Sequence, residues 1–311
     1  MDTDRLLIEA IKDNPRERTA KLVYADWLEE NGQPDRAELI RLSAGDAGET
    51  GSGRLAREGR IKQLEHNCRR KLKDYCIGVE YCDGLPFLIV LVGNFLREAE
   101  CIVAARPDIV GVDIVNDVAW SSECGRQVVR SPLLINFNRL SFSGWYLLTD
   151  TDVAALARNP ATARLTHLSL MSTELSDAGA TALADSPHLR RLTSLAVCSN
   201  GLTARGWANL FSASDHETVE HLSLYGAGLN AEALRLLGDG PALPNFKSLT
   251  LGACALSRAG LSSLADCRRL PGSATLTVDV AREAQFVGTL DELRDNLAAG
   301  RRVGNPPGPH R

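Results

Sequence analysis

A repeat of 27 residues dominates the second half of the chain and restricts what it can fold into. Leu165-x-x-Leu168-x-Leu170, followed by Leu175, returns as Leu192-x-x-Leu195-x-Val197 with Leu202. It returns again as Val219, Leu222, Leu224, Leu229 and as Phe246, Leu249, Leu251, Leu256. An upstream copy, Phe137, Leu140, Phe142, Leu148, is one residue longer, and Leu276 and Val278 fall where a last strand should begin. The other half of each unit repeats too. Thr149, Ser176, Thr203, Asn230 and Ser257 stand 27 residues apart. Each is followed after seven residues by a leucine, and after three by Asp152, Gly179, Gly206, Ala233 or Gly260. Side chains of the first kind accept bonds from the free amides of a helix start, so each marks an N-cap.

Alternation within Leu-x-x-Leu-x-Leu is a period-two signal, which puts Leu168 and Leu170 on one side of a short strand. The capped segment after it is a helix whose leucine faces the same interior, and the small residue in its first turn lets the neighbouring unit approach. No unit can bury its apolar face alone, so neighbours stack and share one core. The expected fold class is therefore α/β, a curved solenoid with parallel strands on the concave side and helices on the convex side. It occupies 109–283, with a weaker copy at Ile109, Val112, Ile114, Asp117 and Ala119. A basic helix and N-terminal cap are expected over 54–108, including strand-like 85–92 and helix-like 95–105. Thr289-Leu290-Asp291-Glu292-Leu293 reads as the start of a C-terminal cap helix over 284–303. Residues 304–311, with three prolines, read as a disordered tail.

The unit Leu-x-x-Leu-x-Leu-x-x-(Asn/Cys/Thr)-x-Leu resembles the leucine-rich repeats of the ribonuclease-inhibitor type over residues 137–278. That resemblance implies a horseshoe and a binding protein. The family's asparagine slot holds Asn200 in one copy, Cys254 in another and Thr173 in a third. Ala227 departs from it, which implies a looser loop in the repeat at 219–245.

Residues 1–43 carry a different pattern. Leu6, Leu7, Ala10 and Ile11 form a helical stripe that stops near Asn14-Pro15; Leu22, Val23, Ala25, Trp27 and Leu28 form a second that stops at Asn31-Gly32. A third short helix comes after Pro34. The run Leu22-Val-Tyr-Ala-Asp-Trp-Leu-Glu-Glu-Asn-Gly-Gln-Pro-Asp-Arg-Ala-Glu-Leu-Ile-Arg-Leu42 resembles the bacterial repeat-companion domain, a family found ahead of repeat arrays. Lys21 stands where that family has Arg and Leu39 where it has Phe, both with character kept. Two readings of Asp26, Trp27, Arg36, Glu38 and Arg41 compete. In one, Trp27 packs between helices while Asp26 pairs with Arg36 or Arg41 and fixes a small hairpin. In the other, Asp26, Trp27 and Arg36 form a docking epitope. Residues 44–53, with four glycines, have the composition of a flexible linker that leaves the module tethered.

Aromatic residues make up 5% of the chain, so the core must be aliphatic, and a net charge of −4 gives no general attraction to nucleic acid or anionic lipid. The N-terminus is polar, with no apolar signal core, and the expectation is a cytoplasmic protein. The eight cysteines show no Cys-x-x-Cys pair, which fits reduced thiols. A zinc site at His66, Cys68, Cys76 and Cys82 would need spacings unlike those of known knuckles. Residues 54–75 carry eight Lys or Arg against three acids on an amphipathic helix, a feature suited either to capping the array or to binding phosphates.

Signatures of catalysis are not found: no phosphate loop, no Gly-x-Ser-x-Gly elbow, no His-Glu-x-x-His helix. His167 and His221 recur at matching strand positions, with backbones roughly 10 Å apart at about 4.8 Å per strand, too far for a dyad or a shared metal without convergence. No cofactor or metal is expected. The expected function is a non-enzymatic protein–protein scaffold that binds a protein partner transiently on its concave face. Arg139, His167, Met171, Cys198, His221 and Tyr225 border a floor of small residues, Ser141-Ser169-Ala196-Ser223-Thr250. The alternative is a nucleic-acid or anionic-membrane adaptor acting through 54–75, with Arg69, Arg70, Lys71 and Lys73 as its contacts.

Overall fold

The computed structural model describes residues 3–45, 52–72, 76–116, 122–144, 148–171, 173–198, 201–212, 218–226, 228–238, 242–280, 284–301 and 303. The tail expected at 304–311, residues 46–51 of the linker, Lys73 of the basic segment, and Asn200 and Ala227 of the asparagine slot lie outside these. The fold is mixed α/β with mostly parallel strands. The chain forms two units: Met1–Trp120 with Ser131–Leu140, and Ser121–Arg130 with Ser141–Arg311. Among the described residues no helix is long and apolar enough to cross a membrane.

Unit 1 begins with α1 (Thr3–Asp13), α2 (Arg18–Glu30) and α3 (Pro34–Ser43). Pro34 opens α3 at a position where its missing N–H would have no partner anyway. Then come α4 (Ser52–Arg69), β1 (Gly78–Cys82), β2 (Leu85–Leu91), α5 (Val92–Ala105) and β3 (Gly111–Val115). β1 and β2 are antiparallel, whereas β2 and β3 are parallel with α5 as the crossover. The β1–β2 turn is Asp83-Gly84, both residues at positive φ (52° and 79°), the twist a two-residue hairpin demands.

That turn is seated on the helices. A Cβ on Gly84 would lie 2.7 Å from the Ile40 Cα, so only glycine allows this approach. Lys21 Nζ reaches Asp83 at 3.0 Å, and Asn138 Nδ2 donates to the Lys12 carbonyl at 2.8 Å. Ile8, Ile11, Tyr24, Leu28 and Ile40 share one core with Leu85 and Val110. The helices over 3–43 are thus packed against the β1–β2 hairpin and the start of β3, which corrects the expectation of a tethered module. The composition of 44–53 describes the connection but not the contacts made across it.

Unit 2 contains α6 (Ser122–Val129) and the outer part of β4 (Arg139–Ser143), whose first two residues belong to unit 1. β5 (Leu148–Thr149) leads into α7 (Asp150–Arg158), and β6 (His167–Leu170) and β7 (Thr173–Glu174) into α8 (Asp177–Ala184). β8 (Ser194–Cys198), α9 (Ala204–Ser212), β9 (His221–Tyr225), α10 (Ala231–Leu237), β10 (Ser248–Leu256) and α11 (Arg258–Ala265) continue the alternation. β11 (Thr275–Val280), β12 (Ala284–Thr289) and α12 (Leu290–Ala298) close it. β6, β8, β9, β10 and β11 are parallel neighbours in that order, aligned Leu168↔Leu195↔Leu222↔Leu249↔Leu276. All five leucines are buried, as are Leu170, Val197, Leu224, Leu251 and Val278 two residues on. A short second ladder pairs β5 with β7.

The N-cap series is realised. Ser176, Thr203, Asn230 and Ser257 each accept an amide of the following turn, while at Thr149 the Asp152 carboxylate takes the Thr149 amide and hydroxyl. Two first-turn aspartates also reach across repeats. Asp150 accepts the amide and hydroxyl of Ser176, and Asp177 those of Thr203 (2.9 and 2.6 Å). This explains the small residue in the next turn. A Cβ on Gly179 would lie 2.3 Å from Asp150 Oδ1, and one on Gly206 1.9 Å from Asp177 Oδ1. Ala233 carries its methyl where the preceding repeat offers Ala204 and no carboxylate. At the opposite helix ends the next repeat supplies donors to bare carbonyls: Asn159 to Val129, Ser186 to Ala157, Arg269 to Leu237 and Arg294 to Ala265.

Two outcomes are expected in denaturation experiments. Gly206→Ala should cost about 1–3 kcal/mol through overpacking. At least half of that penalty should vanish in an Asp177→Ala background, a coupling that a double-mutant cycle measures directly. Leu222→Ala should cost about 2–5 kcal/mol. It should fall in the upper half of that range, because a small apolar cavity bounded by Leu195, Leu222, Leu249 and Phe246 already lies beside the side chain and the new void would join it.

Candidate functional site

Because every second strand residue of unit 2 is buried, the residues between them form outward columns. The first runs His167↔Ser194↔His221↔Ser248↔Thr275, the second Ser169↔Ala196↔Ser223↔Thr250↔Thr277, and a third Cys198↔Tyr225↔Gly252. Met171 comes directly after β6 and is half-buried. The structure thus brings His167, Cys198, His221 and Tyr225 to one side of one set of strands. Arg139, first residue of β4, falls in unit 1, where a Cβ on Gly111 would meet its Cβ at 2.5 Å.

The columns carry no formal charge in neutral form across β6, β8, β9 and β10, and the middle one is small throughout. Tyr225 lies across its neighbour: a Cβ on Gly252 would be 2.2 Å from the Tyr225 ring. Glycine at that position is what lets the ring lie down on the adjoining strand. His167 and His221 are separated by the Ser194 strand, and each is bonded locally. His167 Nδ1 meets Thr166 Oγ1 at 2.9 Å, and His221 Nδ1 meets Ser248 Oγ at 2.7 Å.

Around His221 there is a group that sequence patterning does not single out. Glu220, 6% exposed, accepts from Lys247 Nζ at 2.8 Å and stands 4.0 Å from His221 Nε2. Ser248, His221 and Glu220 stand in the order of a nucleophile, base and orienting acid. The last gap exceeds a hydrogen bond, however, and the carboxylate is paired with Lys247. Burial pushes the Cys198 thiol up from its ordinary value, which leaves it a weak nucleophile. Cys254, pushed up to about 11 by burial and then by the Asp279 charge, is weaker still. Among the described residues no three His, Cys, Asp or Glu side chains are grouped to hold a metal.

In unit 1 the proposed docking trio divides. Asp26 is exposed and pairs with Arg41 at 2.6 Å, the second of the two partners weighed from the sequence. Trp27 is half-buried and stacks on Tyr24, ring centroids 6.0 Å apart and planes within 9°. Arg36 turns inward, its side chain 17% exposed. Its Nη2 donates to Asp108 at 2.7 Å and to the Tyr24 hydroxyl at 2.9 Å. Arg106 grips the same carboxylate with Nε and Nη2, both at 2.8 Å, and Tyr24 donates to Asp4 at 2.9 Å. An ion pair spanning 72 residues leaves no trace in local periodicity. On α4, Arg60 is held by Glu38 through two bonds, and Arg57 donates to the Leu42 carbonyl. Part of that helix's positive charge is therefore spent on α3.

No family model matches the chain, and no curated protein sequence matches it.

Asp108, 2% exposed, supplies a test of unit 1. Burial alone would raise its pKa, but the bonds from Arg106 and the charges of Arg36 and Arg106 outweigh it and hold the carboxyl below its ordinary 3.8. A depressed folded-state pKa contributes stability that is complete above 3.8 and is lost as pH falls below it toward the folded value. Asp108→Asn should cost about 3–5 kcal/mol at neutral pH by removing the buried negative charge that two guanidinium groups share. Chemical denaturation as a function of pH should show the variant losing less stability than the parent on acidification below that value.

Proposed function

We propose that unit 2 is a leucine-rich-repeat array of the ribonuclease-inhibitor type and that the protein is a non-catalytic scaffold, binding a protein partner through the outward columns of β6, β8, β9 and β10. The observation that carries this reading is the unbroken register of those columns, uncharged and small in the middle, with Met171, His221 and Tyr225 rising around them. A floor of Ser169, Ala196, Ser223 and Thr250 lets a partner's backbone come close, and a tyrosine held flat over glycine offers a large contact at little entropic cost. In this reading the helices over 1–43 are a repeat-companion domain, the array is curved with these columns on its concave side, and the setting is cytoplasmic.

Size sets the strength of the contact. Four parallel strands at about 4.8 Å span roughly 15–20 Å, and three columns give a few hundred Å², short of the roughly 800 Å² per partner of a stable complex. Binding is therefore transient.

A photoreactive residue placed at Ser223 should cross-link a partner in the native cell extract, and Tyr225→Ala should reduce the yield several-fold. The same probe at Arg235, on the exposed side of α10, serves as the comparison. Equal yields from Ser223 and Arg235, or a yield indifferent to Tyr225→Ala, would remove the columns from the binding site.

A further inference from the structure

The last strand of unit 2 breaks the parallel pattern. β12 runs antiparallel to β11, with Thr275↔Thr289, Leu276↔Gly288, Thr277↔Val287, Val278↔Phe286 and Asp279↔Gln285. Such a ladder alternates pairs that exchange both backbone bonds with pairs that exchange none. Two bonds fix the phase. Leu290 N–H donates to the Ala274 carbonyl at 3.0 Å, while Thr275 N–H turns the other way, to Lys247, at 2.8 Å. Gly288 and Phe286 therefore bond β11, and the N–H and C=O groups of Gln285, Val287 and Thr289 point away from it.

One of these outward groups is already occupied. Thr289 N–H donates to Glu292 Oε2 at 2.8 Å, and a Cβ on Gly288 would meet the same oxygen at 2.5 Å. The glutamate thus covers the far end of the edge. The backbone groups of Gln285 and Val287 remain, and among the described residues no strand lies beyond β12 in the sheet. Edge strands are ordinarily protected by lysine, proline or an inward charge. Ala284-Gln285-Phe286-Val287-Gly288-Thr289 has none of these, and Val287 is 65% exposed.

The spacing of the open groups selects the occupant. They belong to two residues that flank Phe286, an arrangement complementary to itself under a two-fold axis. Antiparallel alignment places Gln285 of one copy opposite Val287 of the other, and the reverse, so that four hydrogen bonds form between residues of matching phase. No charge on the strand opposes its own copy. We propose that β12 pairs with β12 of a second copy of this chain, centred on Phe286, to give a weak homodimer. The contact is short because Glu292 occupies the amide that would lengthen the ladder. It involves none of the side chains proposed above to bind a protein partner, so either reading can fail alone.

Sedimentation velocity of the full chain over a concentration series, together with amide hydrogen exchange at low and high concentration, tests this. The expected result is a mass that rises from monomer toward dimer, with Gln285 and Val287 amides exchanging more slowly as concentration increases. Val287→Lys, on an exposed side chain, should weaken association about tenfold or more, while Val287→Thr should leave it close to the parent. A mass that stays monomeric throughout, a dimer indifferent to Val287→Lys, or a dimer in which those two amides gain no protection would each overturn the proposal.

Discussion

Parallel strands cannot be joined by a tight turn, so each must be followed by a crossover that carries the chain back to the same end. In unit 2 that requirement takes the form of 27 residues per return, and the column Leu168, Leu195, Leu222, Leu249, Leu276 is its product. Leu222 lines one small apolar cavity together with Leu195 and Leu249 of the repeats on either side. Everything on the outward side inherits its order from that column, because alternation along each strand and register between strands together decide which side chains stand next to one another.

The helices are tied to one another in two chemically different ways. At their N-terminal ends, Asp150 and Asp177 place a carboxylate where free amides and the positive end of the helix dipole favour one. At their C-terminal ends, uncharged Asn159 and Ser186 or cationic Arg269 and Arg294 donate to open carbonyls. The repeats differ in which residue performs the task, yet the task recurs at the same place. That is why a sequence with varied polar residues still keeps one geometry.

The period, the caps and the direction of the strand residues are legible in the sequence, because each is written at a fixed spacing. What the spacing cannot carry is adjacency. The bond between His221 and Ser248, the ring of Tyr225 over Gly252 and the carboxylate beside Gly206 depend on residues of different repeats. β12 escapes a reading by period because it abandons the period just where a cap helix is expected, and that helix does begin, at Leu290 behind Thr289. β1 escapes it although Asp83-Gly84 is a strong hairpin signal, since Gly78-Val-Glu-Tyr-Cys82 lacks the clean alternation of the later strands. The inward turn of Arg36 is set by Asp108, a partner too distant in sequence for any local pattern to reveal.

The seating of the Asp83-Gly84 turn on the backbone of Ile40 bears on the order in which the chain can become structured during synthesis. Helices α1, α2 and α3 have their apolar surfaces completed by Leu85 and Val110 and their guanidinium by Asp108, all made later in synthesis. They must wait, partly uncovered, until some seventy further residues have emerged, whereas each later repeat can settle on the one made just before it. These three helices thus gain a finished interior only well after they are made, and they depend more on shelter in that interval than the repeats do.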